Sequence, residues 1–268
     1  KGTLIDIPLF GIRRYGFGNV VALVVSLGEF GILFVLPLWL QSVAGLDPLT
    51  TGALIAFLAV GTLLAGGAAR GVSARLGATQ VVRLGMILEI IGIIGIGWGF
   101  STTRSPWWLV IPLMIYGAGL GFASAQLTNV VLADVPLEKS GQASAMTSTF
   151  RQVGSALGAA ILGAVLFTGL GDDLGKKLDD LPGVSTPQAE QIVNSVQGSA
   201  GQAIVAMEKN PAFAPIVEDA KAAYTDSAKL TALVAAIFVF FGLMASLGLP
   251  KDSVADDTSA AEDLPVAG

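Results

Sequence analysis

The sequence contains no cysteine and no histidine. Their absence removes disulfides, thiol nucleophiles, Ser–His catalysis and nearly all zinc centres at once. Charge is scarce too: Asp, Glu, Lys and Arg make up 13% of the chain, against about a quarter in soluble domains. Nothing resembles a basic nucleic-acid footprint, and no cofactor or metal is expected. There is no n-region, h-region and cleavage-site pattern, and the first residue is Lys1, not Met. The chain therefore reads as the later portion of a longer protein.

Apolar residues are abundant. A hydrophobic share of 53% and a mean hydropathy of +0.73 describe an integral membrane protein. The 34 glycines fit helices packed closely in lipid through small side chains. The net charge of −5 is unevenly placed, with nine of the twenty acids between Asp172 and Asp226 and five more between Asp252 and Asp263.

The expected fold class is an all-α membrane protein with six transmembrane helices. Apolar runs fall at about 18–40, 52–69, 81–100, 107–132, 142–167 and 228–249. The fifth, about 25 residues, would be roughly 38 Å long as a helix, enough to cross a bilayer. The domain organisation follows from these runs. Residues 1–17 form a cytoplasmic amphipathic approach, and 18–168 hold the first five spans. Residues 169–226 are too polar for lipid and form an extracytoplasmic loop with short amphipathic helices. Residues 227–249 are the sixth span, and 250–268 an acidic cytoplasmic tail with the composition of disorder.

Within the long loop, Thr186 and Pro187 suit an N-cap and a first helical residue. Phe213, Val217, Ala220 and Tyr224 give an apolar stripe at helical spacing. Lys and Arg gather before span one, between spans two and three, between four and five, and after six. The positive-inside rule then puts both termini of this chain in the cytoplasm, with the protein integral to the plasma membrane. Two groups of three spans start from opposite sides, as in the inverted repeats of many transporters.

Glu29 and Glu89 lie near the middle of different spans. An ionised carboxylate there is expensive, so its protonation responds to local access of water. This suits proton coupling or cation binding; the alternative is a neutral acid acting as interhelical glue. Arg151, Gln152, Gln126 and Asn129 form a second polar group on spans four and five, as candidates for a cavity wall or gate. Arg151 is expected to be buried, paired with a carboxylate or held by the amides of Gln126 and Asn129. Its alternative is snorkelling towards the surface. Trp39, Trp98, Trp107 and Trp108 read as interface anchors.

The segment LGEFGILFVLPLWLQSVAGLDPLTTG, Leu27 to Gly52, resembles the first helix and outer loop of the C-terminal half of a major facilitator superfamily transporter, in particular of its fourteen-helix drug:proton antiporter branch. GQASAMTSTFRQVGSALGAAILGAVLF, Gly141 to Phe167, is similar to that branch's penultimate helix. The resemblance implies the last six of fourteen helices, one half of the fold, with the N-terminal half missing from this chain. Arg75-Leu76-Gly77 looks like a remnant of the superfamily's loop pattern, with Ala74 in place of its acid. The implied function is proton-coupled efflux of small hydrophobic or cationic substrates by alternating access, with protons, membrane lipid and the missing half as partners and no enzyme activity. The alternatives are a nutrient or metabolite transporter of the same superfamily, and a non-transporting scaffold that binds a partner through the outer loop.

Overall fold

Helix ends in this chain are set by a few capping and breaking residues. In the computed structural model, which describes residues 7–249, α1 runs over Arg13–Ser42 and carries Pro37 in its interior. The next helix, α2 (Pro48–Leu76), starts where Asp47 Oδ1 accepts the backbone N–H groups of Leu49 and Thr50, at 2.9 and 3.1 Å. Pro48 fits the first turn because its missing N–H has no helical partner to lose. Only Gly77 separates α2 from α3 (Ala78–Gly99), and its φ of +84° is a conformation that favours glycine. After a 3₁₀ turn at Pro106–Leu109 come α4 (Val110–Leu132) and α5 (Ser140–Asp179). Two shorter helices, α6 (Thr186–Gly198) and α7 (Gln202–Met207), precede α8 (Ala214–Ser246).

Six of these segments are long and apolar enough to cross a membrane, and the described residues contain no strand. The helices extend further than hydropathy predicts. Helix α2 continues through Arg70 and Arg75, which the sequence placed in a connection. Helix α5 is 40 residues long, and α8 takes in Val217, Ala220 and Tyr224, read above as part of a separate amphipathic helix. The stretch between α5 and α8 is thereby reduced to 180–213. Hydropathy marks where lipid stops, whereas a helix stops at a breaker. Beyond Phe167 the buried Leu170, Leu174 and Leu178 keep one face of α5 apolar, until Pro182 and Gly183 end it. The N-cap of α6 is Ser185, one residue earlier than expected, because Gln188 Oε1 accepts from both its N–H and its hydroxyl, at 3.0 and 2.9 Å. The tail over 250–268, and the approach before residue 7, lie outside the described residues.

Helix α1 packs on α5 and α8, as α4 packs on α2 and α3; α1 also meets α4, and α3 meets α8. Exchanging α1 with α4, α2 with α5 and α3 with α8 leaves this pattern unchanged, which is the signature of an inverted repeat. Close approach is made through glycine. A Cβ at Gly154 or Gly158 would run into the carbonyls of Leu23 and Leu27 on α1, and one at Gly117 or Gly121 into those of Leu58 and Thr62 on α2.

The α6–α7 pair is tied over one end of the bundle. Gln197 Nε2 donates to the carbonyl of Phe167, and Ser42 and Tyr224 both donate to that of Ala200, at 3.3 and 3.4 Å. Trp39 is also part of this end. Its side chain is completely buried, and its indole N–H donates to Thr225 Oγ at 3.1 Å. It is therefore a core residue and not an interface anchor. Trp98, Trp107 and Trp108 are exposed.

Candidate functional site

Glu29 and Glu89 each sit near the midpoint of their helix. Both are buried within the bundle, at 2% and 0% exposure, so neither faces lipid. The site lies where α4 packs against both α3 and α1. Here α3 and α4 touch backbone to backbone: a Cβ at Gly119 would stand 2.8 Å from Glu89 Cγ, and one at Gly92 would stand 2.5 Å from Tyr116 Cβ. Tyr116, one turn from Gly119 on α4, reaches across to α1 and donates its hydroxyl to the carbonyl of Glu29 at 3.1 Å. Glycines 92 and 119 thus allow a tyrosine and two carboxyls to share one membrane layer.

The Glu89 carboxyl is enclosed with no hydrogen-bond partner for either oxygen among the described residues. Buried polar atoms are nearly always paired, so an orphaned carboxyl is a marked exception. The two carboxyls lie within electrostatic reach of each other and of Arg151. A carboxylate desolvated to this degree costs several kcal/mol, so its charge must be met by a proton or by a cation. Cavities at the ends and on the flank of the bundle are lined by other residues.

The second polar group comes together only in part. Arg151 is half-buried and extends to Ser124 on α4, with Nη2 3.5 Å from Oγ. It makes no direct ion pair among the described residues. The expected partners Gln126 and Asn129 contact each other instead, Asn129 Nδ2 donating to Gln126 Oε1 at 3.5 Å. The reason is helical phase: Ser124 and Gln126 are two residues apart, roughly 200° around α4, and so face different ways. Gln126 is buried at 6% exposure, while Asn129 and Gln152 are exposed. Arg151 is therefore not held by those two amides.

Tyr116 and Ser124 were not singled out in the sequence. A lone tyrosine in the middle of an apolar run, followed by three closely spaced glycines, was the available signal for the first; nothing distinguished the second.

The geometry defines a polytopic helical membrane protein with an enclosed acid pair at mid-depth. Residues 7–159 match the Major Facilitator Superfamily, and the chain belongs to that superfamily. It is 33% identical over 185 residues to a probable actinorhodin transporter of Streptomyces coelicolor, an alignment covering 66% of this chain and 31% of that protein. It is 27% identical over 237 residues to the multidrug efflux pump LfrA of Mycolicibacterium smegmatis, covering 88% and 45%. With the riboflavin transporter RibZ of Clostridioides difficile it shares 29% identity over 159 residues, covering 59% and 34%. The chain thus spans between 31% and 45% of the length of these three relatives. The names they carry are those of transporters, not enzymes.

Proposed function

We propose that this chain is the C-terminal half of a proton-coupled efflux transporter that works by alternating access, with Glu29 and Glu89 as the groups that take up and release protons. The observation that carries the reading is the Glu89 carboxyl, sealed at mid-membrane without a hydrogen-bond partner and within electrostatic reach of Glu29 and Arg151. A group in this position changes its charge whenever the helices around it part and admit water. Arg151 supplies a fixed positive charge that holds one ionised carboxyl, and a cationic substrate can take the place of the proton on the other. Asn129 and Gln152, exposed on α4 and α5, are the candidates for the wall of the passage, and the buried Gln126 holds Asn129 in place.

The relatives named for actinorhodin and multidrug efflux support small hydrophobic or cationic molecules as cargo. Arg13, Arg14, Arg70, Arg75, Arg83 and Lys139 all stand at the end of the bundle opposite α6 and α7. That end is therefore cytoplasmic by the positive-inside rule, with the protein in the plasma membrane. The remaining half of the transporter supplies the other wall of the path. The experiment is Glu29→Gln and Glu89→Gln in the full-length protein, with efflux followed under an imposed proton gradient. Each variant is expected to insert normally and to lose proton-driven efflux; normal efflux in both would reduce the acids to interhelical glue.

The similarity to RibZ favours a second reading, transport of a metabolite in place of drugs. Proton flux that responds to riboflavin-sized aromatic metabolites and not to added drugs would select it.

A further inference from the structure

The exposed faces of the helices differ in kind. On α5 the exposed residues include Ser148, Thr149 and Gln152. On α3 beyond Gln80 they are Ile87, Ile91, Ile94 and Trp98, a stripe with no polar side chain, as a lipid-facing surface requires. Between this stripe and α4 runs a cleft of about 420 Å³. Its long walls are Ile91, Ile111 and Ile115, and its floor is formed where Gly95 meets Pro112, with a Cβ at Gly95 only 2.9 Å from Pro112 Cβ. Its apolar lining has the chemistry that an acyl chain requires.

One end of the cleft is different. Arg104, in the α3–α4 connection, lies between two exposed indoles, its Cζ 5.7 Å from the Trp98 ring centroid and 5.5 Å from that of Trp108. It has no ion pair among the described residues. Tryptophans mark the headgroup level of a bilayer, and the two rings hold the guanidinium at that level through cation–π contact. An unpaired, pre-positioned arginine above an apolar channel is complementary to a phosphate group attached to a hydrocarbon tail.

We propose that the α3–α4 cleft binds an anionic phospholipid, its phosphate on Arg104 between Trp98 and Trp108 and one acyl chain along Ile91, Ile111 and Ile115. The site is separate from the acid pair, and its occupancy stabilises the α3–α4 contact that encloses Glu89.

The test is native mass spectrometry of the detergent-solubilised protein titrated with phosphatidylglycerol, phosphatidylcholine and inorganic phosphate. One phosphatidylglycerol should bind more tightly than phosphatidylcholine. Arg104→Gln should weaken it by about fivefold, the effect of one basic residue at an anionic surface, and Arg104→Lys should keep most of the preference. Ile111→Trp, an exposed position at the cleft mouth, should block both lipids. Phosphatidylglycerol with brominated acyl chains should quench tryptophan fluorescence in the wild type and less in Arg104→Gln. Equal binding of the two lipids, unchanged binding in Arg104→Gln, or displacement of phosphatidylglycerol by millimolar inorganic phosphate would overturn the proposal. So would a dimer that Ile111→Trp converts to monomer, which would assign the cleft to a second copy of the chain.

Discussion

The hydroxyl of Tyr116 donates to the backbone carbonyl of Glu29 across 3.1 Å, joining α4 to α1 at the level of the acid pair. Interhelical hydrogen bonds in membranes are worth about 0.6 kcal/mol on average. Tyr116→Phe should therefore lower stability by about that amount in an unfolding titration, with the fold intact. Tyr116→Ala removes a fully buried ring and should cost roughly 3–5 kcal/mol, as large-to-small core substitutions do.

Thr225 accepts the indole N–H of Trp39 at 3.1 Å and donates its own hydroxyl to the carbonyl of Lys221 at 2.8 Å. Thr225→Val leaves the buried indole N–H without a partner, a loss of about 1–3 kcal/mol. Trp39→Phe and Thr225→Val should then be non-additive in a double-mutant cycle, with a coupling energy of about 0.5 kcal/mol or more. Additive losses would show the two side chains to be energetically independent.

Glycine positions separate packing from propensity. A Cβ at Gly158 meets the Leu27 backbone, whereas one at Gly67, in the second half of α2, meets nothing within 4 Å. In this chain Gly158→Ala should destabilise by about 1–3 kcal/mol through overpacking. Gly67→Ala should be neutral or stabilising by up to ~1 kcal/mol through helix propensity. Thermal unfolding of the two variants side by side tests the contrast.

At the start of α2, the Thr50 hydroxyl and the backbone N–H groups of Thr50 and Leu49 hold the Asp47 carboxyl below the ordinary carboxylate range. A carboxyl depressed in the folded state adds stability above its unfolded value and loses it as pH falls through the folded value. The melting temperature of Asp47→Ala should accordingly lie below wild type at neutral pH, and the gap should narrow on acidification. A gap independent of pH would mean that the cap acts without its charge.

Much of the fold was legible because lipid imposes a simple rule: a spanning segment must be long, apolar and helical. All six spans, and glycine as their packing residue, were visible on that basis. The helix ends were not, because α5 and α8 leave the apolar layer without meeting a breaker, and their polar extensions look like loop. Glu29 and Glu89 stood out because carboxyls are rare in such runs. Their partners did not, since contacts such as Glu29 with Tyr116, 87 residues apart, depend on how separate helices cross. Trp39 misled for a related reason. Its position near a span end fits an interface anchor equally well, and only the packing of α8 and of Phe100 against it shows that it is covered.

The central claim is that Glu29 and Glu89 exchange protons as substrate binds. Its most direct test is proton release from the full-length protein, solubilised without buffer, on adding a saturating cationic substrate, read with a pH indicator. The account predicts release from the wild type and none from a Glu29→Gln, Glu89→Gln double variant that still binds the substrate. Undiminished release from that variant would contradict it.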